Sequence, residues 1–359
     1  MTRRPRPPVR RPNRGRAASR ARGWKAAAAR KAARARIRRT AWSVVVVVVL
    51  LGCLLVTLDR IFTPGFTLAV VAIVLVAYAF PAYLVCLVSA VVLRLAPGGG
   101  SRGRRWWSSV AVVAALGAAL HAFWLSPAFV GNHPSREPTL TVLQLNTRFG
   151  LADPRQVAQL AAARDADVVV LEELNPKAAS RLGAAGLGQE LPHRWGDARA
   201  GTMVFSRWPL RNPAELPVSK GAIRVRVGAT RPFWLIGLHT TQPLVSTTRW
   251  QQDLSTVRQA VLRRHGPGIV VGDFNATLNH GPMRHLLGTG LRDAAQAGNS
   301  GWQPTWPSDH EARALGIPIP VSLFTLDHVL VTPQIDVVST RTITVGGTDH
   351  KALVASLIR

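Results

Sequence analysis

A short apolar run, Gly268-Ile-Val-Val-Gly-Asp-Phe-Asn-Ala-Thr277, ends in two polar residues that could do chemistry together. The run reads as a buried strand, Gly272 lets the chain turn without a side chain in the way, and Asp273 and Asn275 follow on one face at the strand's mouth. A carboxylate placed there can take a proton from water or touch a hard metal ion. A neutral carboxamide beside it can hold the carboxylate and donate to a phosphate oxygen. The pair suits hydrolysis of a phosphate ester, although Asp and Asn after a strand are equally good turn formers.

Other polar residues end apolar runs in the same way. Asn146 closes Leu143-Gln-Leu-Asn-Thr147, Glu172 and Glu173 close Val168-Val-Val-Leu-Glu-Glu-Leu174, and His239 closes Trp234-Leu-Ile-Gly-Leu-His239. Asp327 and His328 stand in Leu326-Asp-His-Val-Leu-Val331, and Asp349 and His350 in Gly347-Thr-Asp-His-Lys351, just before the last apolar run. Taken singly, each reads as a turn, a solvated pair or a satisfied histidine. Recurring at successive strand ends, they point to one site.

The elements that must position these residues alternate. Strands are expected over 139–145, 167–171, 202–205, 222–227, 233–238, 268–271, 323–331, 341–345 and 352–358, with 222–227 and 233–238 forming a hairpin. Asp153-Pro154 supplies an N-cap and a first-turn proline for a helix to about residue 164. Trp250, Leu254, Val257 and Val261 recur at helical spacing, so a second helix packs on the strand from Gly268. The expected class is α/β (α+β), with helices covering sheet faces and active residues at strand ends.

The N-terminal third differs in kind. Residues 1–40 hold sixteen Lys or Arg and no acid, and are expected to be a disordered basic tail that contacts anionic lipid head groups. Apolar stretches at about 41–60, 66–93 and 106–130 are each long enough to cross a hydrocarbon core of about 30 Å. Three spans are the simplest count; splitting the second at Pro81 would give four. Arginines crowd the tail and the loop from Arg94 to Arg105, whereas residues 59–65 carry one acid and one base. Positive-inside bias therefore expects a multi-pass cell-membrane protein with its N-terminus in the cytoplasm, a linker at 131–138, and residues 139–359 outside. The formal charge of +27 says little about that last part: residues 133–359 hold 24 basic and 17 acidic residues. Cys53 and Cys86 both lie in apolar stretches, so no disulfide framework is expected.

In this order, Asn146, Leu171-Glu-Glu173, His239, Gly272-Asp-Phe-Asn275, Leu326-Asp-His328 and Thr348-Asp-His350 resemble the motif series of the endonuclease/exonuclease/phosphatase superfamily, and Gly201-Thr-Met-Val-Phe-Ser-Arg-Trp-Pro-Leu210 resembles one of its strand-and-turn segments. The resemblance covers about 139–359. It implies a four-layer αββα sandwich of two mixed sheets behind the N-terminal transmembrane helices, and a metal-dependent phosphohydrolase site at one end of the sheets. It further implies that Glu173 binds Mg²⁺ or Mn²⁺ with Asp349 and Asn146 close by. Asp273 would orient or deprotonate the attacking water, and Asn275 and Asn146 would hold the phosphate. Asp327 would fix the tautomer of His350, which donates to the phosphoryl oxygen, and His239 would contact the phosphate or assist the leaving group. The superfamily's usual Gln before the metal-binding Glu is Glu172 here, which leaves a one-residue ambiguity between Glu172 and Glu173. No role is assigned to His328.

The short multi-span region ahead of a catalytic domain is similar to a membrane-bound bacterial branch that includes the VanJ-type teicoplanin resistance protein, which implies a polyprenyl phosphate or diphosphate substrate. The loop 298–322, with Trp302 and Trp306, reads equally as a membrane-dipping or an ordinary Pro-rich connection. Other readings use the same residues: an extracytoplasmic nuclease, a phospholipid phosphodiesterase, or a membrane binding protein without activity. Nucleic acid is the less favoured partner because no dense basic stripe with interleaved aromatics is present beyond residue 139.

Overall fold

The computed structural model describes residues 14–97, 100–131, 136–198, 201–308, 313–314, 317–319 and 321–359. Residues 1–13 of the basic tail, residues 132–135 of the expected linker and part of the loop 298–322 therefore lie outside the described residues. The N-terminal part is helical: α1 (Arg14–Phe62), α2 (Thr67–Ala72), a 3₁₀ turn (Ile73–Leu75), α3 (Val76–Leu95) and α4 (Ser101–Leu125). Three stretches, Ala29–Phe62, Thr67–Leu95 and Ser101–Ala128, are long and apolar enough to cross a membrane.

One expectation changes here, and one alternative drops out. Residues 14–40 are helical rather than disordered. Ala and Arg are among the best helix formers, and after Pro12 no proline interrupts the chain before Pro64. The second stretch does not split at Pro81, which lies inside α3; its irregularity is the 3₁₀ turn one helical turn and more upstream.

The chain divides into two compact units. One holds Met1–Cys53 with Pro81–Leu116, and the other Leu54–Phe80 with Gly117–Arg359. Within the first, the Arg39 guanidinium donates to the carbonyls of Leu93 (2.9 Å) and Pro97 (3.1 Å).

The second unit contains the strands and helices that follow residue 139. In chain order they are β1 (Leu140–Asn146), α5 (Pro154–Ala163), β2 (Val168–Glu172), α6 (Pro176–Ala184), α7 (Leu187–Glu190), β3 (His193–Asp197), β4 (Thr202–Ser206), β5 (Leu210–Leu216), β6 (Ala222–Val227), β7 (Phe233–His239), α8 (Thr247–Leu262), β8 (Gly268–Asp273), α9 (Gly281–Leu287), β9 (Arg292–Asp293), α10 (Ala294–Ala297), β10 (Arg313–Ala314), β11 (Ile317–Pro318), β12 (Asp327–Val331), β13 (Asp336–Thr344) and β14 (Lys351–Ile358). Of the two six-stranded sheets one runs β13-β14-β1-β2-β4-β3 and the other β5-β6-β7-β8-β12-β9, while β10 and β11 pair with each other alone. Both six-stranded sheets are mixed: β1 and β2 are parallel, as are β7 and β8, among antiparallel neighbours.

Alternation along the strands builds the layers. Val142, Val168, Val170 and Val204 of the first sheet meet Val225, Leu235, Ile269 and Val271 of the second in one buried cluster. The opposite side chains of the first sheet, Leu143, Leu145, Val169 and Leu171, pack under Val157, Ala161, Leu182 and Leu187 of α5, α6 and α7. Those of the second, Trp234, Ile236 and Val270, pack under Trp250, Leu254, Val257 and Met283 of α8 and α9. The result is an αββα sandwich. Burying each such side chain contributes about 1.5–3 kcal/mol.

Strands β3, β5, β9, β10 and β11 and helices α6, α7, α9 and α10 are additions to the expected elements, β3 and β5 being the longest of the strands. β3 and β5 are sheet edges, and neither has a clean apolar alternation, because only one flank and part of one face are covered. The strand expected over 323–331 begins only at Asp327, and the one expected over 341–345 runs from Asp336 to Thr344.

Candidate active site

Strand register gathers the polar ends. Asn146 pairs with Glu172 across β1 and β2. His239 pairs with Asp273 across β7 and β8, and Asp273 with Asp327 across β8 and β12. The period of two then decides which side chains enter the space between the sheets. Gln144 and Asn146 continue the inward row of Leu140 and Val142, Glu172 that of Val168 and Val170, Asp273 that of Ile269 and Val271, and Asp327 that of Val329 and Val331.

Gly272 makes the β7–β8 contact possible. Its φ is +150°, and a Cβ there would come within 1.9 Å of the Leu238 carbonyl oxygen.

Asp273 sits at the centre. Its Oδ1 accepts from the Asn275 backbone N–H (2.8 Å) and its Oδ2 from Asn146 Nδ2 (3.0 Å). The Asn275 carboxamide donates to the Thr240 carbonyl at 3.0 Å. Nε2 of His239 lies 3.5 Å from Asp273 Oδ2, and Nε2 of His350 lies 3.9 Å from the same oxygen. Burial, then the nearby Asp327 carboxylate, raise Asp273 above the usual carboxylate range, which suits a group that takes a proton.

Asp327 holds His350. Its Oδ2 accepts from His350 Nδ1 at 2.8 Å, and its Oδ1 from Gln144 Nε2 at 2.7 Å. Burial opposes a charged imidazole, but the Asp327 and Asp273 carboxylates outweigh it and push His350 up to about 10. Burial likewise opposes an ionised Asp327, yet the His350 charge and the hydrogen bonds to it keep this carboxyl below its ordinary value. His350 therefore presents a charged Nε2–H to the cleft. His239 has the opposite character: burial holds it below its ordinary value, so it is neutral.

The pleat sends the two glutamates to different places. Glu172 is fully buried between the sheets, where its Oε2 accepts from Gln144 Nε2 at 2.8 Å. Burial and the Asp327 charge raise it well above the usual carboxylate range. Glu173 follows with φ +52°, which swings its carboxylate out of the sheet to the mouth. There Oε1 accepts from Asn146 Nδ2 (3.3 Å) and Oε2 from the Phe149 N–H (3.0 Å), with His239 Nε2 at 3.8 Å.

Glu173, Asp349, Asn275 and His350 line one cleft of about 460 Å³. Asp349 Oδ2 accepts from Trp306 Nε1 at 3.3 Å. The donor set suits a hard cation, with Glu173 and Asp349 offering carboxylate oxygens to the cleft and few acids in all. Beside them His239 Nε2 is buried without a hydrogen-bond partner. Asp273, Asp327 and His350 also place ligand atoms within 4.8 Å of one another. Asp327 is fully buried and already accepts from two side chains, so this trio reads as a proton-handling group.

All the residues expected to form the site are thus at one end of the sheets. His328, left without a role, points to the outer face. Sequence patterns missed Gln144, Trp306 and a wall from the N-terminal region. Gln144 had a signal, since it lies two residues before Asn146 on the same face. The wall had none: Val70, Val71 and Val74 line the same cleft, and Val70 is buried with Trp250, Phe274 and Met283 of the catalytic layers. His280 closes this contact. Its Nδ1 accepts from the Thr277 N–H (2.9 Å), so Nε2–H donates to the Val70 carbonyl (3.0 Å).

Residues 143–350 match the Endonuclease/Exonuclease/phosphatase family. The chain belongs to this family. It is accordingly a hydrolase of phosphoesters, and the family generally works with a divalent metal ion. Similar solved structures include D. rerio TDP2 complexed with a single-strand DNA product (TM-score 0.51, 14% identity, 61% of this chain and 99% of that one). Others are an endonuclease/exonuclease/phosphatase family protein from Leptotrichia buccalis (0.49, 14%, 62% and 100%) and a mannosyl-6-phosphatase from Bacteroides thetaiotaomicron (0.49, 15%, 62% and 100%). A comparison with curated proteins finds none that matches.

Proposed function

We propose that this family member is a membrane-anchored phosphohydrolase acting at the outer membrane surface on a phosphorylated lipid, such as a polyprenyl diphosphate of the cell-wall pathway. The observation that carries this reading is the wall of the cleft. Val70, Val71 and Val74 belong to the apolar stretch Thr67–Leu95, and they stand across from Glu173, Asn275 and His350. Phe149 and Leu244, 68% and 74% exposed, continue the apolar surface at the rim. A phosphate bound at the polar floor thus has hydrocarbon beside it, and a substrate with a hydrocarbon chain fills both. A nucleic acid backbone would instead need a line of cations, and Arg148 is the one Lys or Arg among the described lining residues. The similarity to the VanJ-type branch and its glycopeptide resistance fits the same substrate class.

Positive-inside bias supports a cytoplasmic N-terminus and a multi-pass arrangement in the cell membrane. Anionic head groups would then meet the basic residues of the N-terminal region.

Glu173 and Asp349 would hold Mg²⁺ or Mn²⁺, which when bound supplies Lewis-acid neutralisation of the phosphoryl and leaving oxygens. Asp273, fixed by the Asn275 N–H and Asn146, orients the attacking water and takes its proton. Asn275, Asn146 and neutral His239 contact the phosphate. His350, held by Asp327 through Nδ1, donates from Nε2 to the phosphoryl oxygen as charge builds there.

The test is phosphate release from a polyprenyl diphosphate by the detergent-solubilised full-length protein with Mg²⁺, with Asp273→Asn as blank. Release by the wild type alone is the expected result. Release from a phospholipid or nucleic acid instead would move the assignment to a phosphodiesterase or nuclease. A reporter fused at Arg359 that is active only in the cytoplasm would sink the outer-surface assignment.

A further inference from the structure

A second cavity, of about 250 Å³, shares no lining residue with the catalytic cleft. Arg60, in the last turn of α1, and Arg284, on α9, both line it, together with Asn279, Trp124, Ser126 and Leu287. The two guanidinium groups feel each other's charge. Among the described residues neither pairs with a carboxylate, and no carboxylate lines the cavity. Nε of each arginine is buried without a hydrogen-bond partner. Arg60 is held in place by neutral contacts: Nη1 donates to Asn279 Oδ1, and its Cζ sits 4.2 Å from the centre of the Trp124 ring.

Two like charges facing one partly open cavity, each with a buried Nε–H unused, leave a local deficit of negative charge and of acceptors. Guanidinium does not shed its proton to relieve this, and its fork of donors matches the oxygens of a phosphate. The position selects which phosphate. Arg60 lies near the end of the stretch Ala29–Phe62, and Trp124 and Ser126 near the end of Ser101–Ala128. Both stretches are long enough to cross a membrane, and Trp and Arg at the ends of spans stand at head-group level. Phe123, Pro127, Leu278 and Leu287 supply apolar lining beside the arginines, and Gln296 adds one neutral polar group.

We propose that this cavity is a binding site for the phosphate group of an anionic membrane lipid, separate from the catalytic cleft. The lipid clamps the end of the first apolar stretch to α9 and so steadies the segment from which Val70, Val71 and Val74 reach the cleft. The site does not depend on which substrate the cleft hydrolyses.

The experiment uses full-length protein in phosphatidylcholine nanodiscs containing a minor share of phosphatidylglycerol, with native mass spectrometry of the released protein. The wild type is expected to retain phosphatidylglycerol over phosphatidylcholine. Retention should fall about tenfold in Arg284→Gln and further in Arg60→Gln/Arg284→Gln, one charged hydrogen-bonding partner being lost at each step. Arg284 is on a short, partly exposed helix, so its single variant keeps the fold, and Arg284→Lys should retain part of the preference. Equal phosphatidylglycerol retention by the wild type and both Gln variants overturns the site. Displacement of the lipid by inorganic phosphate at matched concentration would show that free phosphate is the ligand and overturn the lipid assignment.

Discussion

The molecule contains two buried Asp–His pairs, each joining residues well apart in the chain, and they differ in what is left over. His350 Nδ1 bonds Asp327 at 2.8 Å, and His328 Nδ1 bonds Asp293 at 3.0 Å. Both imidazoles are held above their ordinary value by the carboxylate, against the opposing effect of burial. The difference is the second nitrogen. Nε2 of His328 is taken up by the Ala276 carbonyl at 2.9 Å, whereas Nε2 of His350 has Asp273 at 3.9 Å and faces the cleft. A histidine satisfied on both sides holds structure together; one satisfied on one side keeps a proton to give. Asp327 and His328 are neighbours in sequence, yet alternation along β12 sends one to the inter-sheet site and the other to the outer face.

Breaking the catalytic pair should have the largest effect. Asp273→Asn removes the group proposed to take the proton, and His350→Gln the one proposed to give it; each should lower kcat by about 10²–10⁴-fold while the thermal transition stays cooperative. A chelator should silence the wild type to the same background, with recovery on adding Mg²⁺. Asp327→Asn should cost less, roughly 10²-fold, because His350 remains but loses its orienting carboxylate. Steady-state kinetics on one phosphorylated lipid reads all of these.

The structural pair should respond the other way. His328→Asn is expected to destabilise by about 3–5 kcal/mol, since it leaves Asp293 buried and unpaired, and the fraction that stays folded should keep its kcat within about twofold. If His328→Asn abolished turnover while the denaturation midpoint stayed put, the division between the two pairs would be wrong.

pH separates His328 from His280. His328 is raised in the folded state, so its contribution is fully present below 6.5 and is lost as pH rises through its folded value. His280 is lowered by burial to about 4, so its contribution is present above 6.5 and is lost as pH falls toward 4. Protonation there would cost on the order of 3 kcal/mol and would break acceptance from the Thr277 N–H, loosening the contact with Val70. Melting temperatures of the wild type, His328→Asn and His280→Asn across this range should therefore diverge in opposite directions. The smallest effect expected is on substrate choice: Val71→Trp should flatten the dependence of kcat/KM on the chain length of the proposed lipid, by up to about fourfold per methylene lost from contact. A uniform loss on all chain lengths would count against the cleft wall as the chain's resting place.

Much of the site was legible because strands carry a period of two and end where polar residues replace apolar ones. That pattern placed Asn146, Glu173, His239, Asp273, Asn275, Asp327, Asp349 and His350 at strand ends, and the family motifs ordered them. Edge strands β3 and β5 escaped because one-sided burial leaves no alternation to read. The helix over residues 14–40 was legible in its Ala and Arg content and was obscured by its charge.

By itself the sequence determined the apolar stretches, the alternating strands and helices and the polar residues that close them, since these follow from local spacing and composition. Only the tertiary structure decided that Glu172 is sealed in while Glu173 opens to the cleft, that His328 is satisfied and His350 is not, and that Val70 meets His280 across 210 positions of chain. Those outcomes depend on register and on contacts between distant segments, and no local pattern encodes which distant backbone will take up a side chain's second nitrogen.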